Sequence, residues 1–163
     1  MNRRAFLSTA AAACLVSPLG LSAAEDRFEV TRSEAEWREM LGEEAFDVMR
    51  REGTERAFTS PLNAVKAEGV YHCRGCDQAL YRSDTKFESG TGWPSFWAPI
   101  ERAVGTKPDP GIFGFRTEVH CSRCGSHMGH VFDDGPEPTG QRHCINGVAL
   151  VFRPAGGGEP MVG

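Results

Sequence analysis

The 163-residue chain has no surplus of positive charge: 18 Lys and Arg stand against 22 Asp and Glu, a formal net charge of −4. Phosphate binding normally shows as an excess of Lys and Arg on one face, so a nucleic-acid partner is not expected. Long hydrophobic runs are missing too. The most apolar stretch, residues 5–24, is broken by Ser8, Thr9, Ser17, Pro18 and Gly20; it inserts weakly by hydropathy, which argues against stable membrane association. There is no internal repeat and no second domain. What is there, 25% charged and 40% hydrophobic residues, suits one globular domain with enough apolar side chain to bury a core.

The first residues stand outside that domain. Arg3-Arg4 runs into Ala5-Phe6-Leu7 and an Ala-rich stretch ending at Ala24, the pattern of a signal peptide over residues 1–24. The start resembles the twin-arginine export motif, with Asn2 where Ser or Thr is commoner, and Leu21-Ser22-Ala23 or Ser22-Ala23-Ala24 would suit a signal peptidase. An exported, periplasmic protein is therefore expected. An uncleaved anchor and a lipidated Cys14 are the alternatives, the second weakened because no Leu sits three positions before that cysteine.

Without the leader, six cysteines become five: Cys73, Cys76, Cys121, Cys124 and Cys144. Four form two Cys-x-x-Cys knuckles, Cys73-Arg-Gly-Cys76 and Cys121-Ser-Arg-Cys124. Such spacing lets two thiolates point at one ion through a tight turn, and two knuckles complete a tetrahedral zinc site. Gly75 and Gly125 supply turn residues. A pair of disulfides and a redox-active Cys-x-x-Cys remain alternatives in an exported protein. A closed four-cysteine site has no open coordination position, so the chemistry must lie elsewhere.

The fifth cysteine lies in Gln141-Arg142-His143-Cys144-Ile145-Asn146-Gly147, followed by Val148-Ala149-Leu150-Val151-Phe152. This reads as two short strands around a turn at Asn146-Gly147. In an extended segment Arg142, Cys144 and Asn146 share a face, and the cation would favour the thiolate. A buried, inert cysteine is the alternative. Upstream, His127-Met128-Gly129-His130-Val131-Phe132-Asp133-Asp134-Gly135 places two histidines beside the second knuckle. Zinc is already saturated by four thiolates, so acid catalysis is the better reading of the pair. The Gly- and aromatic-rich segment Phe87–Trp97 reads as an ordered loop, in which Trp93 could wall a small apolar pocket suited to a sulfur-bound methyl group.

Occurring in family order, the two knuckles, Ser89-Gly90-Thr91-Gly92-Trp93-Pro94-Ser95-Phe96, His127 to Gly135, and Arg142-His143-Cys144-Ile145-Asn146 resemble the methionine-R-sulfoxide reductases, from about Ser33 to Pro154. Gly53-Thr54-Glu55-Arg56-Ala57-Phe58 belongs to the same likeness. The resemblance implies a mainly β domain over 33–154, with two packed antiparallel sheets and short N-terminal helices. Ser33-Glu34-Ala35-Glu36 before Trp37, Met40 and Leu41 fits as a capping box.

By the same resemblance Cys144 attacks the sulfur of methionine sulfoxide in oxidised protein substrates while His127, His130 and a water polarise the oxygen. Trp93 and Phe132 hold the methyl end, Arg142, Asp134 and Asn146 tune the thiol and orient the histidines, and Cys144 becomes a sulfenic acid. Thr91 stands where many members place a second cysteine, so an external thiol, thioredoxin-like or small, is expected to reduce Cys144 directly. His143 stands where Tyr or Phe is usual. A monomer is expected. Residues 101–111, with Pro108 and Pro110, read as a surface loop, and 155–163 as a flexible tail. Two rival classes are a zinc-ribbon binding module and a cysteine hydrolase, the latter needing no reductant.

Overall fold

The computed structural model describes residues 28–111 and 114–163; the expected signal peptide and Cys14 lie outside the described residues. Two helices lead: α1 (Glu34–Leu41) and α2 (Glu43–Arg51). Ser33 closes a capping box with Glu36, each side chain meeting the other's backbone N–H, which satisfies donors the first turn leaves free. Trp37 and Leu41 turn inward while Met40 stays 42% exposed.

Ten strands follow: β1 (Gly69–Cys73), β2 (Ala79–Arg82), β3 (Lys86–Phe87), β4 (Ser95–Phe96), β5 (Val104–Gly111), β6 (Gly114–Cys121), β7 (His127–Phe132), β8 (Arg142–Ile145), β9 (Leu150–Pro154) and β10 (Met161–Val162). They form two antiparallel sheets, ordered β10-β9-β1-β2 and β3-β4-β8-β7-β6-β5. The fold is the mainly β, two-sheet domain that the resemblance implied.

An aromatic seam joins the sheets. Tyr71 of β1 meets Phe96 of β4 edge-on at 5.0 Å, and Tyr81 of β2 stacks on the same ring at 4.3 Å. All three are fully buried, so the pairs add their preferred geometry to a large apolar area removed from water. His143 of β8 points into this seam, its Nδ1 3.2 Å from the Tyr81 hydroxyl.

Three local expectations change. Residues 104–111 are not a loop but an edge strand; Pro108 and Pro110 are tolerated there because a sheet edge can spare an N–H. The segment 155–163 is not simply a tail: Met161–Val162 pair with β9, and the Gly163 N–H reaches the Leu150 carbonyl. Nor do the strands around Asn146-Gly147 face each other. A short 3-10 helix, Gly147–Ala149, carries the chain from β8 in one sheet to β9 in the other. No helix of the described residues is long and apolar enough to cross a membrane.

Candidate active site and cysteine cluster

β7 and β8 run side by side with His130 opposite Cys144 and Phe132 opposite Arg142. Gly129 permits the approach: its φ is 155°, and a Cβ there would run into the carbonyl oxygen of Cys144. Cys144, His130, Phe132, Trp93, Arg116 and Asn146 together line a cavity of about 150 Å³. Its aromatic walls are braced. The Trp93 indole N–H donates to the Glu55 carbonyl at 3.1 Å. Arg142 lies 4.5 Å from the Phe132 ring centroid and makes paired bonds of 2.8 and 2.9 Å to Asp134. That pairing lowers the Asp134 pKa.

Cys144 is half-buried, and desolvation pushes its thiol pKa up, with Thr91 and Arg142 offsetting only part. Arg142 thus acts on the thiol in the expected direction, favouring the thiolate, but burial is the larger effect. The same guanidinium pairs with Asp134, whose negative charge works against the thiolate.

The two histidines divide. His130 lines the cavity, and its Nε2 lies 2.7 Å from Asp109 Oδ2, an oxygen that also accepts from Arg116 Nη2 at 2.6 Å. Burial lowers the His130 pKa and Asp109 offsets part of that; in return His130, then Arg116, hold Asp109 below the usual carboxylate range. His127 is 2% exposed and is not among the residues lining the cavity; its ring stands 5.4 Å behind that of His130. Its Nδ1 lies 3.1 Å from Oε1 of buried Glu118, whose Oε2 lies 2.9 Å from Lys107 Nζ. Burial alone would raise the Glu118 pKa, but His127 and Lys107 together bring it below the ordinary value.

Asn146 follows β8 and lines the cavity, but its amide is used to lock segments together: Nδ2 donates to the Met128 carbonyl at 3.1 Å and Oδ1 accepts the Glu55 N–H at 3.0 Å. The Glu55 carboxylate in turn accepts from Gly147 and Val148 N–H at 2.6 and 2.8 Å. Sequence reasoning missed Glu55, Asp109, Arg116 and Glu118 as site residues. Reading 114–121 as a strand would have placed Arg116 and Glu118 on one face; nothing local marks Asp109.

The four other described cysteines stand apart, each offering a sulfur within 4.8 Å of the others. Cys73 and Cys124 sulfurs are 3.7 Å apart, Cys76 and Cys121 3.5 Å. A tetrahedron with metal–sulfur legs of about 2.3 Å has edges of about 3.8 Å, whereas a disulfide needs about 2.05 Å. The thiols therefore fit a zinc ion, and the disulfide alternative does not fit. One knuckle ends β1 and the other ends β6, so the cluster ties the two sheets.

Residues 41–154 match the SelR domain family. The peptide methionine sulfoxide reductase MsrB of Methanosarcina barkeri is 55% identical over 125 residues, 76% of this chain and 88% of that protein. The MsrB of Agrobacterium fabrum is 47% identical over 127 residues, 77% and 94% of the two chains. That of Pseudomonas putida is 50% identical over 130 residues, 79% and 98%. Among solved structures, a Mis18 "Yippee-like" domain aligns with a TM-score of 0.42 at 18% identity, over 51% of this chain and 92% of that one.

Proposed function

The chain belongs to the SelR-domain family, that of the MsrB peptide methionine sulfoxide reductases, and from that premise we propose that it reduces the R epimer of methionine sulfoxide in proteins, with Cys144 as nucleophile. It is an oxidoreductase acting on methionine sulfoxide, and its substrates are oxidised proteins. The observation that carries the assignment of Cys144 is its thiol in one cavity with His130 and two aromatic walls, Trp93 and Phe132. The other four described cysteines are gathered in their own cluster.

A sulfoxide sulfur is a poor target until its oxygen is hydrogen-bonded or protonated, so a thiol and an acid must meet there. In this reading the apolar walls take the S-methyl group. His130, held by Asp109, and the Arg116 guanidinium face the oxygen; His127 braces His130 from behind. Cys144 sulfur bonds to the substrate sulfur and the doubly protonated oxygen leaves that sulfur as water; a water then attacks Cys144 Sγ and breaks the S–S bond, so methionine leaves with the bonding pair, two electrons gained, and Cys144 becomes a sulfenic acid. Two equivalents of an external thiol, from a thioredoxin-like protein or a small dithiol, return it to the thiol with release of water. Support for an external reductant is that Thr91, not a thiol, stands 3.9 Å from Cys144.

Cys73, Cys76, Cys121 and Cys124 would hold one structural zinc, supplying cross-linking and no chemistry at Cys144. The cavity is complete within one chain, which supports a monomer. Export to the periplasm, with residues 1–24 removed, rests on the basic start and the apolar run; N-terminal sequencing of protein from a periplasmic fraction tests it. Neither nucleic acid nor a stable membrane contact enters this reading.

The test is dithiothreitol-driven reduction of the separate R and S sulfoxides of dabsylated methionine by the mature chain and by Cys144→Ser. Turnover of the R form alone, lost in the variant, is expected. No turnover of either form by folded, metal-loaded protein would overturn the assignment.

A further inference from the structure

Beside Cys144 runs a chain of three hydroxyls. Thr91 Oγ1 lies 3.9 Å from Cys144 Sγ and 2.9 Å from Ser89 Oγ, and Ser89 Oγ lies 2.7 Å from Ser95 Oγ. Ser95 donates to the Trp93 carbonyl at 3.2 Å, and the Thr91 N–H donates to Ser89 Oγ at 3.4 Å. The chain is anchored in β4, where Ser95 is the cross-strand neighbour of Cys144.

A carbonyl can only accept, so the chain has a direction. Ser95 is 1% exposed and directs its one proton to Trp93. Ser89 must then give its proton to Ser95, leaving its lone pairs to the amide and hydroxyl of Thr91. The Thr91 hydroxyl is the one rotor with a choice, between Ser89 and the sulfur of Cys144. Against a neutral thiol, a poor acceptor, Ser89 is the better partner. Against a thiolate the balance reverses, because hydrogen bonds to ionised acceptors are the stronger ones, and Ser89 still keeps the Thr91 amide as donor.

We propose that Thr91 is a positioning residue for Cys144, a single-proton rotor that turns its hydroxyl from Ser89 to the sulfur when the thiol ionises. The attacking form of Cys144 is thereby stabilised only once it exists, and the cost is one reoriented hydroxyl. This deepens the proposed function but does not depend on it for its test.

The test is the pH dependence of Cys144 alkylation by iodoacetamide in the full metal-loaded mature chain, with Cys144→Ser as the blank. The charged or titratable groups facing the thiol are His130 from β7, Arg142 with Asp134 from the β8 side, and Arg116 from β6; all are unchanged in the variants. Thr91→Val should raise the alkylation midpoint by about one pH unit, a roughly ten-fold loss of thiolate below it, with the rate at full ionisation unaltered. Thr91→Ser should restore the wild-type midpoint. Ser95→Ala removes the acceptor that orders the chain, turns the Ser89 proton toward Thr91, and should lower the midpoint, so it decides the matter even if Thr91→Val folds poorly. Midpoints unmoved in Thr91→Val and Ser95→Ala, or a change confined to the fully ionised rate, would overturn the rotor. The assay uses no sulfoxide, so this failure is distinct from failure of the reductase reading.

Discussion

His143 is a base that the native protein can protonate only at a loss. It is 4% exposed, and desolvation lowers its pKa from 6.5 to about 4. Between those values the unfolded chain binds a proton that the native state does not, so stability is highest above pH 6.5 and falls as the pH drops toward 4. The loss amounts to roughly 3 kcal/mol at the lower end. His143→Phe keeps a ring against Tyr81 and removes the base; urea unfolding at a series of pH values should show a flatter acid limb, and an unchanged limb would assign the loss to another group. Asp109 belongs to the reaction more than to the fold. Its carboxylate supports protonated His130, so Asp109→Asn should depress the His130 pKa further. If His130 is the acid, activity falls as the pH rises through its pKa, and the variant's alkaline limb of kcat/KM moves to lower pH. At neutral pH the loss should be about ten-fold, short of the roughly 10²–10⁴-fold that a positioned acid contributes in full.

Among the elements, the 3-10 helix Gly147–Ala149 is the joint on which the site hangs. It lets the chain leave Cys144 in one sheet and enter β9 in the other, and Glu55 caps it from a distant loop by accepting two of its N–H groups. Gly147 is required because a Cβ there would meet the side chain of Ser60. The backbone of Glu55 also holds the Trp93 indole and the Asn146 amide, so joint and cavity wall share one support. Glu55→Ala leaves two buried N–H groups without their charged acceptor. It should cost about 2 kcal/mol in chemical denaturation and raise KM through a looser Trp93; a variant of wild-type stability would mean that water replaces the carboxylate. The β5–β6 pair is the second such element, since its register, together with that of β6 on β7, delivers Asp109 to His130 and Glu118 to His127.

Across the whole molecule, the cysteine cluster and the aromatic seam are two independent ties between the sheets. A structural zinc site contributes an apparent free energy of about 10–16 kcal/mol, comparable with the entire net stability of about 5–15 kcal/mol usual for a domain. Removing the metal with a strong chelator should therefore unfold the protein, with loss of the near-UV circular dichroism of the Tyr71, Phe96 and Tyr81 seam. Metal-loaded Cys144→Ser should keep that signal. A chelated protein that stays folded would show that the seam suffices.

Some of this was legible in the chain itself. The knuckle spacing, the capping box at Ser33, the exclusion of Cys144 from the pairs and the two-sheet class required only short-range spacing or family likeness, because a tight turn, a helix start or a ligand pair is closed within a few residues. The division of labour between His127 and His130, the pairing of Arg142 with Asp134, the strand at 104–111, the return of 161–162 to β9 and the supports at Glu55, Asp109 and Glu118 were decided only in the tertiary structure. Each depends on which strands lie side by side and in what register, and that is set by burial across the whole core, where residues as far apart as Glu55 and Gly147 meet.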